Sequence, residues 1–236
     1  MDLIAFSPHP DDAEMACGGM LLKLKDMGYK TGIIDLTQGE LSTNGDLATR
    51  RAETRKASDI LKLDLRENLK LKDGNIINDT ASRKKVVEAI RRYRPRMALI
   101  PYMRDRHPDH ENAHKLLKES IFISGLAKFK TKEKNHRPDI LLNYMLHYEF
   151  TPSFIVDISD YFKQKMEAVT SYQSQLYSNY KKNSRTLLSS EYFMDLLASR
   201  DKCYGLKIMA EYGEPYFVEY NIKINDPLTF FNYMRI

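Results

Sequence analysis

Residues 2–14, DLIAFSPHPDDAE, set the apolar run Leu3-Ile4-Ala5-Phe6 directly before a histidine and three carboxylates. An unbroken apolar run of this kind suits a strand buried on both faces, as in a parallel sheet. The polar residues then stand at its C-terminal end, where open α/β sheets bind their ligands. The pattern recurs along the first half of the chain. A strand over 2–7 is followed by a helix over 13–28 ending at Gly28, then by the strand TGIIDLT at 31–37. The polar loop QGELSTNGD precedes a helix from about Ala48 to Leu63 and a short strand at 67–71. A helix over 80–94, closed by Pro95, leads to the strand RMALIPY at 96–102 and to a helix from Asp109 to Ser124. This alternation predicts a Rossmann-like α/β fold, a mostly parallel sheet with helices on both faces.

Beyond the basic stretch KFKTKEKNHRPD (128–139) the pattern changes. ILLNYML and SFIVDIS read as strands, 160–181 and 188–209 as helices, and PYFVEYNI as an extended segment. The expectation is one α/β domain over residues 1–236, with a C-terminal strand and helix elaboration.

The composition narrows the function. The formal charge is +5, but Lys and Arg are interleaved with Asp and Glu over several helices. That pattern reads as solvated helix faces, with a basic rim for an acidic small molecule rather than a nucleic-acid surface. No apolar run approaches the roughly 18 residues of a membrane span. The N-terminus shows no basic region followed by an apolar stretch, so no signal peptide is expected. Only Cys17 and Cys203 are present, which argues against a disulfide framework and for a reducing cytoplasm. No G-x-G-x-x-G or P-loop follows any strand. The loop that would cradle phosphate carries Asp11, Asp12 and Glu14 instead, which opposes nucleotide binding.

The chemistry concentrates in two segments. HPDD (9–12) follows the first strand, and HPDH (107–110) follows RMALIPY, within IPYMRDRHPDHENAH. Two parallel strands place such segments side by side however far apart they lie in the chain. His9, Asp12 and His110 then form a His–Asp–His set, which suits a catalytic zinc with open positions. Alternatively, Asp11, Asp12 and Asp109 cap the helices that follow. HENAH (110–114) also matches the metalloprotease pattern H-E-x-x-H, with Glu111 as base. Against that, Pro108 puts His110 in a first helical turn beside the loop, and PHPDD is left without a role.

PHPDDAE after the first strand and RHPDH after a later one resemble the LmbE/PIG-L family of zinc-dependent de-N-acetylases. IIDLTQGELSTNG, RPRMALIPYMRDRHPDH and PSFIVDISDYFKQKMEAVTSYQSQ resemble in particular its bacillithiol-biosynthesis branch, which deacetylates N-acetylglucosaminyl malate. HENAH and the tail YGEPYFVEYNIKIN depart from the family's pattern. The resemblance implies a cytoplasmic hydrolase with Zn2+, or Fe2+, held by His9, Asp12 and His110. It further implies a small-molecule N-acetyl sugar conjugate as substrate, no membrane partner, and a homo-oligomer, a hexamer by family likeness.

Neighbouring residues on an extended turn point apart, so Asp11 is the candidate general base beside Asp12. His107 pairs with Asp109 to place charge near an oxyanion, unless Asp109 only caps the helix. Arg50 matches the family's substrate-contacting arginine, or is a solvated helix residue, and Arg106 is of the same type. Tyr212 stands where a family tyrosine assists the oxyanion. Asn44 and Gly45 lie in a loop expected to line the pocket. Cys17 is expected to pack, Glu14 to favour the helix N-terminus, and His114 to lie near the site or at the surface.

Overall fold

The computed structural model describes residues 1–176 and 186–226, together with Leu228. Five strands run parallel: β1 (Leu3–Ser7), β2 (Thr31–Thr37), β3 (Leu65–Leu71), β4 (Met97–Pro101) and β5 (Ile140–Tyr144). β6 (Phe154–Asp157) and β7 (Gly213–Phe217) complete one sheet in the order β3-β2-β1-β4-β5-β7-β6, with β7 antiparallel to both neighbours. From β1 the chain winds outward to β3, then returns to the other side of β1 as β4. That reversal opens a crevice between the C-terminal ends of β1 and β4.

The alternation of side chains along the buried strands explains the two-layered core. Leu3 and Ala5 of β1 face one cluster, with Ile33 and Leu99. It is closed by α1 (Asp12–Asp26), α2 (Leu47–Ile60) and α5 (Phe162–Val169) through Leu21, Ala57 and Ala168. Ile4 and Phe6 face the other cluster. There α3 (Thr80–Tyr93) and α4 (Pro108–Ser124) contribute Val86, Ile90, Leu117 and Ile121. The caps are local: Asp46 accepts the Thr49 N–H at 2.7 Å, and Asp79 accepts that of Ser82 at 2.7 Å.

Helix α1 is kinked. Cys17 leaves helical geometry at φ −141°, ψ 16°, and the Gly19 and Met20 N–H groups donate to the Glu214 carboxylate of β7, each at 2.8 Å. A helix interrupted in this way needs an outside acceptor for its freed amides, and Glu214 supplies it. Lys165 of α5 binds Glu214 at 2.8 Å and Asp201 of α6 (Phe193–Leu206) at 2.7 Å, all three without solvent exposure. Glycine lets the kink pack closely on the residue that follows β6, because a Cβ on Gly19 would stand 2.7 Å from Ile158. Gly19→Ala is expected to destabilise the fold by about 1–3 kcal/mol, read as a lower urea midpoint at unchanged m-value.

The C-terminal helices are shorter than the periodicity suggests. A 3-10 turn at Ser159–Tyr161 precedes α5, which stops at Val169. Beyond it the polar residues are drawn into tertiary bonds: Ser174 N–H and Oγ donate to Glu53, and Gln175 Nε2 donates to the Asn44 carbonyl. Helix α6 starts at Phe193 because the Thr186 and Ser189 side chains bond the local backbone. The end of the expected 160–181 helix falls outside the described residues. Among the described residues no helix is long and apolar enough to cross a membrane.

Candidate active site

The loop after β1 and the first turn of α4 meet at the crevice. Ser7 Oγ accepts the Ala13 N–H at 3.1 Å, and Asp12 accepts the His9 N–H at 2.9 Å, so the turn into α1 is held by its own side chains. Asp12 Oδ2 lies 3.2 Å from His9 Nδ1 and 3.3 Å from His110 Nε2. Ligand atoms of the three residues lie within 4.8 Å of one another.

Each imidazole is turned by carboxylates on its other nitrogen. His9 Nε2 faces Asp73 at 3.1 Å and Asp109 at 3.4 Å, and His110 Nδ1 faces Asp105 at 3.0 Å. A carboxylate that takes the far N–H fixes the tautomer and leaves the lone pair of the near nitrogen for a metal, the arrangement around metal-ligating histidines. Two imidazoles and one carboxylate, with space beside them, are a donor set that fits zinc, and Fe2+ suits the same ligands. The electrostatics agree. Burial disfavours charge on His110, yet Asp12 and Asp105 push its pKa up to about 9. Burial likewise opposes the carboxylate of Asp12, and His110 and His9 outweigh it, holding it well below the usual range. The pocket thus demands positive charge next to Asp12, which a cation supplies by displacing those protons.

Asp11 faces elsewhere. Its backbone takes φ 123°, a conformation that costs about 1–3 kcal/mol in a non-glycine residue. The side chain accepts Arg50 Nη1 at 2.7 Å. Arg50 also donates to the Pro10 carbonyl at 2.7 Å and to Ser42 Oγ at 2.6 Å, and is buried. Arg50 is therefore neither a solvated helix arginine nor a free guanidinium: it holds Asp11. Burial, only partly offset by Arg50, raises the Asp11 pKa to about 7.

The expected His107–Asp109 pair does not form. Asp109 Oδ2 accepts the Gly74 N–H at 2.8 Å and Oδ1 that of Ile76 at 3.2 Å, so its carboxylate neither orients His107 nor caps α4. His107 is itself the N-cap, its Nδ1 accepting the Asp109 N–H at 3.2 Å. An accepting Nδ1 is unprotonated, so the ring is a neutral donor through Nε2 rather than a cation. Burial, with His9 and His110 beside it, lowers its pKa.

Three ionisable residues in or behind the histidine cluster, Asp73, Asp105 and His147, escaped sequence reasoning. Asp73 lies in KDGN, which looks like a turn, and Asp105 lies in DRHPDH two residues before His107. His147 stands in the spacer HYEFTP. Its Nδ1 lies 2.9 Å from Asp105, and its ring stacks on His110 at 5.4 Å between centroids. The DRHPDH string was a usable signal for Asp105. No local pattern marks the other two.

The remaining residues distribute as follows. Arg106 is exposed at the cavity rim. Asn44 is buried and ties its loop to Gln175 through its carbonyl, while Leu41, Ser42 and Thr43 form the wall. Tyr212 is not at the site. Its ring stacks on Phe162 at 3.5 Å, and its backbone is pinned against α6, where a Cβ on Gly205 would stand 2.6 Å away. Glu14 does not serve the helix N-terminus. It is fully buried and binds Arg66 at 2.6 Å and the Tyr172 hydroxyl at 2.7 Å. Cys17 packs in the core. The metalloprotease arrangement fails: His110 faces Asp12, whereas His114 is buried with Nδ1 at 3.0 Å from the Pro101 carbonyl, and Glu111 accepts the Asp105 N–H.

A family model of GlcNAc-PI de-N-acetylases, PIG-L, matches residues 4–121. Diacetylchitobiose deacetylase of Thermococcus kodakarensis is 31% identical over 185 residues, spanning 73% of this chain and 69% of that protein. The crystal structure of the conserved protein TT1542 from Thermus thermophilus superposes with a TM-score of 0.88 at 34% identity, over 96% of this chain and 98% of that one. N,N'-diacetylchitobiose deacetylase of Pyrococcus horikoshii, solved with an inhibitor, gives 0.79 at 25% identity, over 91% and 82%. The family match runs from β1 into α4 and so spans both halves of the His–Asp–His cluster: the chain belongs to the GlcNAc-PI de-N-acetylase (PIG-L) family.

Proposed function

We propose that this chain is a zinc-dependent N-deacetylase that hydrolyses the acetamide of an N-acetylglucosamine conjugate, with N-acetylglucosaminyl malate as its substrate. The observation that carries this is the convergence of His9 and His110 on Asp12, with Asp11 alongside but outside the set. His9, Asp12 and His110 hold the metal. When bound, it polarises the acyl carbonyl and makes water more acidic.

The protein groups supply the proton transfers. Asp11, held by Arg50 beside the metal set, takes a proton from the attacking water and returns it to the departing amine. His107 donates Nε2–H to the oxyanion, its orientation set by the N-cap bond. With Arg50 engaged by Asp11, the exposed Arg106 at the rim is the guanidinium left to pair with a malate carboxylate. The relatives' names make N,N'-diacetylchitobiose the competing substrate.

Zinc content and deacetylation of both sugars test this in wild type, His9→Ala and His114→Ala. His9→Ala is expected to lose metal and activity, and His114→Ala to keep both. Retained zinc in His9→Ala removes the proposed metal site. Turnover of diacetylchitobiose without turnover of the malate conjugate reassigns the substrate.

A further inference from the structure

Behind His147 lies a second cavity of about 250 Å³, next to the site cavity of about 530 Å³. The two share Arg106, His147 and Leu187 as walls. Met15, Met145, Leu146, Phe193 and Leu197 make most of the second one apolar, and the exposed Tyr148 and Glu149 complete its lining. Arg200, in its wall, has few donors to spare. It gives Nε to Asp201 at 2.9 Å, Nη2 to the Met15 carbonyl at 2.7 Å and Nη1 to the Met145 carbonyl at 3.3 Å. Such a space rewards an apolar ligand group and offers little to a hydroxyl.

Its position says where that group is attached. The His147 ring lies directly on that of His110, and Met15 follows Asp12 by about one helical turn. A group reaching this cavity from the metal cluster must be joined close to the scissile amide. The wall that belongs to the site cavity alone, with Ser42, Thr43 and Asp73, is polar and suits sugar hydroxyls. A sugar on that wall directs the acyl side of the amide toward the apolar space.

We propose that this cavity is an acyl subsite that receives the alkyl chain of N-acyl groups longer than acetyl. The inference rests on the N-deacetylase reading and extends it to N-acyl hexosamines. The reaction is the same hydrolysis: the amide C–N bond breaks, water gives its hydroxyl to the acyl carbon and its hydrogen to nitrogen. The products are a free amine and a carboxylate longer than acetate. A cavity of about 150 Å³ already accommodates benzene, so this one has room for a chain of several carbons.

The zinc-loaded enzyme is assayed with N-acetyl-, N-butyryl- and N-hexanoylglucosamine, and with the octyl glycoside of N-acetylglucosamine. The expected result is a rise in kcat/KM of about fourfold per added acyl methylene until the cavity is filled. Leu196, more than half exposed on α6, lines the same space. Leu196→Trp narrows it and is expected to lower the hexanoyl-to-acetyl ratio by about tenfold or more. Hydrolysis of the acetyl compound without the longer ones overturns the acyl subsite and leaves the deacetylase standing. A gain confined to the octyl glycoside overturns it by assigning the cavity to the aglycone. Hydrolysis of none of them, nor of the malate conjugate or diacetylchitobiose, removes the deacetylase reading itself.

Discussion

On the proposed mechanism Asp11→Asn is expected to keep its metal and lose turnover. The expected fall in kcat is about 10²- to 10⁴-fold, the usual worth of a positioned proton acceptor. The asparagine oxygen still accepts from Arg50, which lies 2.7 Å from the present carboxylate. Asparagine has the same shape as aspartate, so the turn at φ 123° meets no new clash. Only the ability to take and return a proton is lost. Asp12→Asn is expected to do the opposite. In the proposed site the carboxylate between His9 and His110 is the anchor of the metal, so its loss is expected to empty the site along with the activity. Metal analysis of both variants, paired with kcat, reads the division directly. Zinc lost from Asp11→Asn and kept in Asp12→Asn would mean the two neighbours have exchanged roles.

Lys165→Met is expected to destabilise the protein by about 3–5 kcal/mol, which for a chain of this size lowers Tm by about 10 °C. The ammonium is fully buried between Asp201 at 2.7 Å and Glu214 at 2.8 Å. Removing it leaves two buried carboxylates with less positive charge. Arg200 still serves Asp201, but Glu214 keeps only the kink amides and the Tyr216 hydroxyl. The ion pair of Lys202 with Glu211, at 3.2 Å and largely exposed, is the control. Breaking it with Lys202→Met is expected to change stability by at most about 1 kcal/mol. Equal effects of the two variants in urea unfolding would show that the buried cluster does not hold α1 against β7.

Both expectations follow from residues whose legibility in the chain differs sharply. His9, Asp12 and His110 could be named in advance because each follows an apolar run that reads as a buried parallel strand. The ends of such strands converge whatever the length of the crossover. Lys165 and Glu214 carried no such mark. Lys165 sits in the charged string FKQKMEAV, where a solvated lysine is the ordinary expectation. Only the approach of α5, α6 and β7 to the kink in α1 buries it.

The site divides in the same way. Asp109 was expected to serve His107, two residues away, but loop 74–76 offers two amide donors and takes the carboxylate. Tyr212 was placed by a loose local likeness, and the packing of Gly205 against its backbone holds it elsewhere. Arg50 was open between a substrate contact and a solvated helix residue, and its partner in the fold is Asp11.

The order of residues was enough to dictate the alternation of strands and helices and the residues delivered to the sheet's C-terminal edge. Those are consequences of local periodicity and of where a polar turn follows an apolar strand. It took the assembled fold to settle which carboxylate orients which imidazole, which cation neutralises Asp11, and that His147 opens onto an apolar cavity. Each of these is a contact between segments distant in the chain. Its occurrence depends on ångström-scale packing of the elements, which no local pattern of residues encodes.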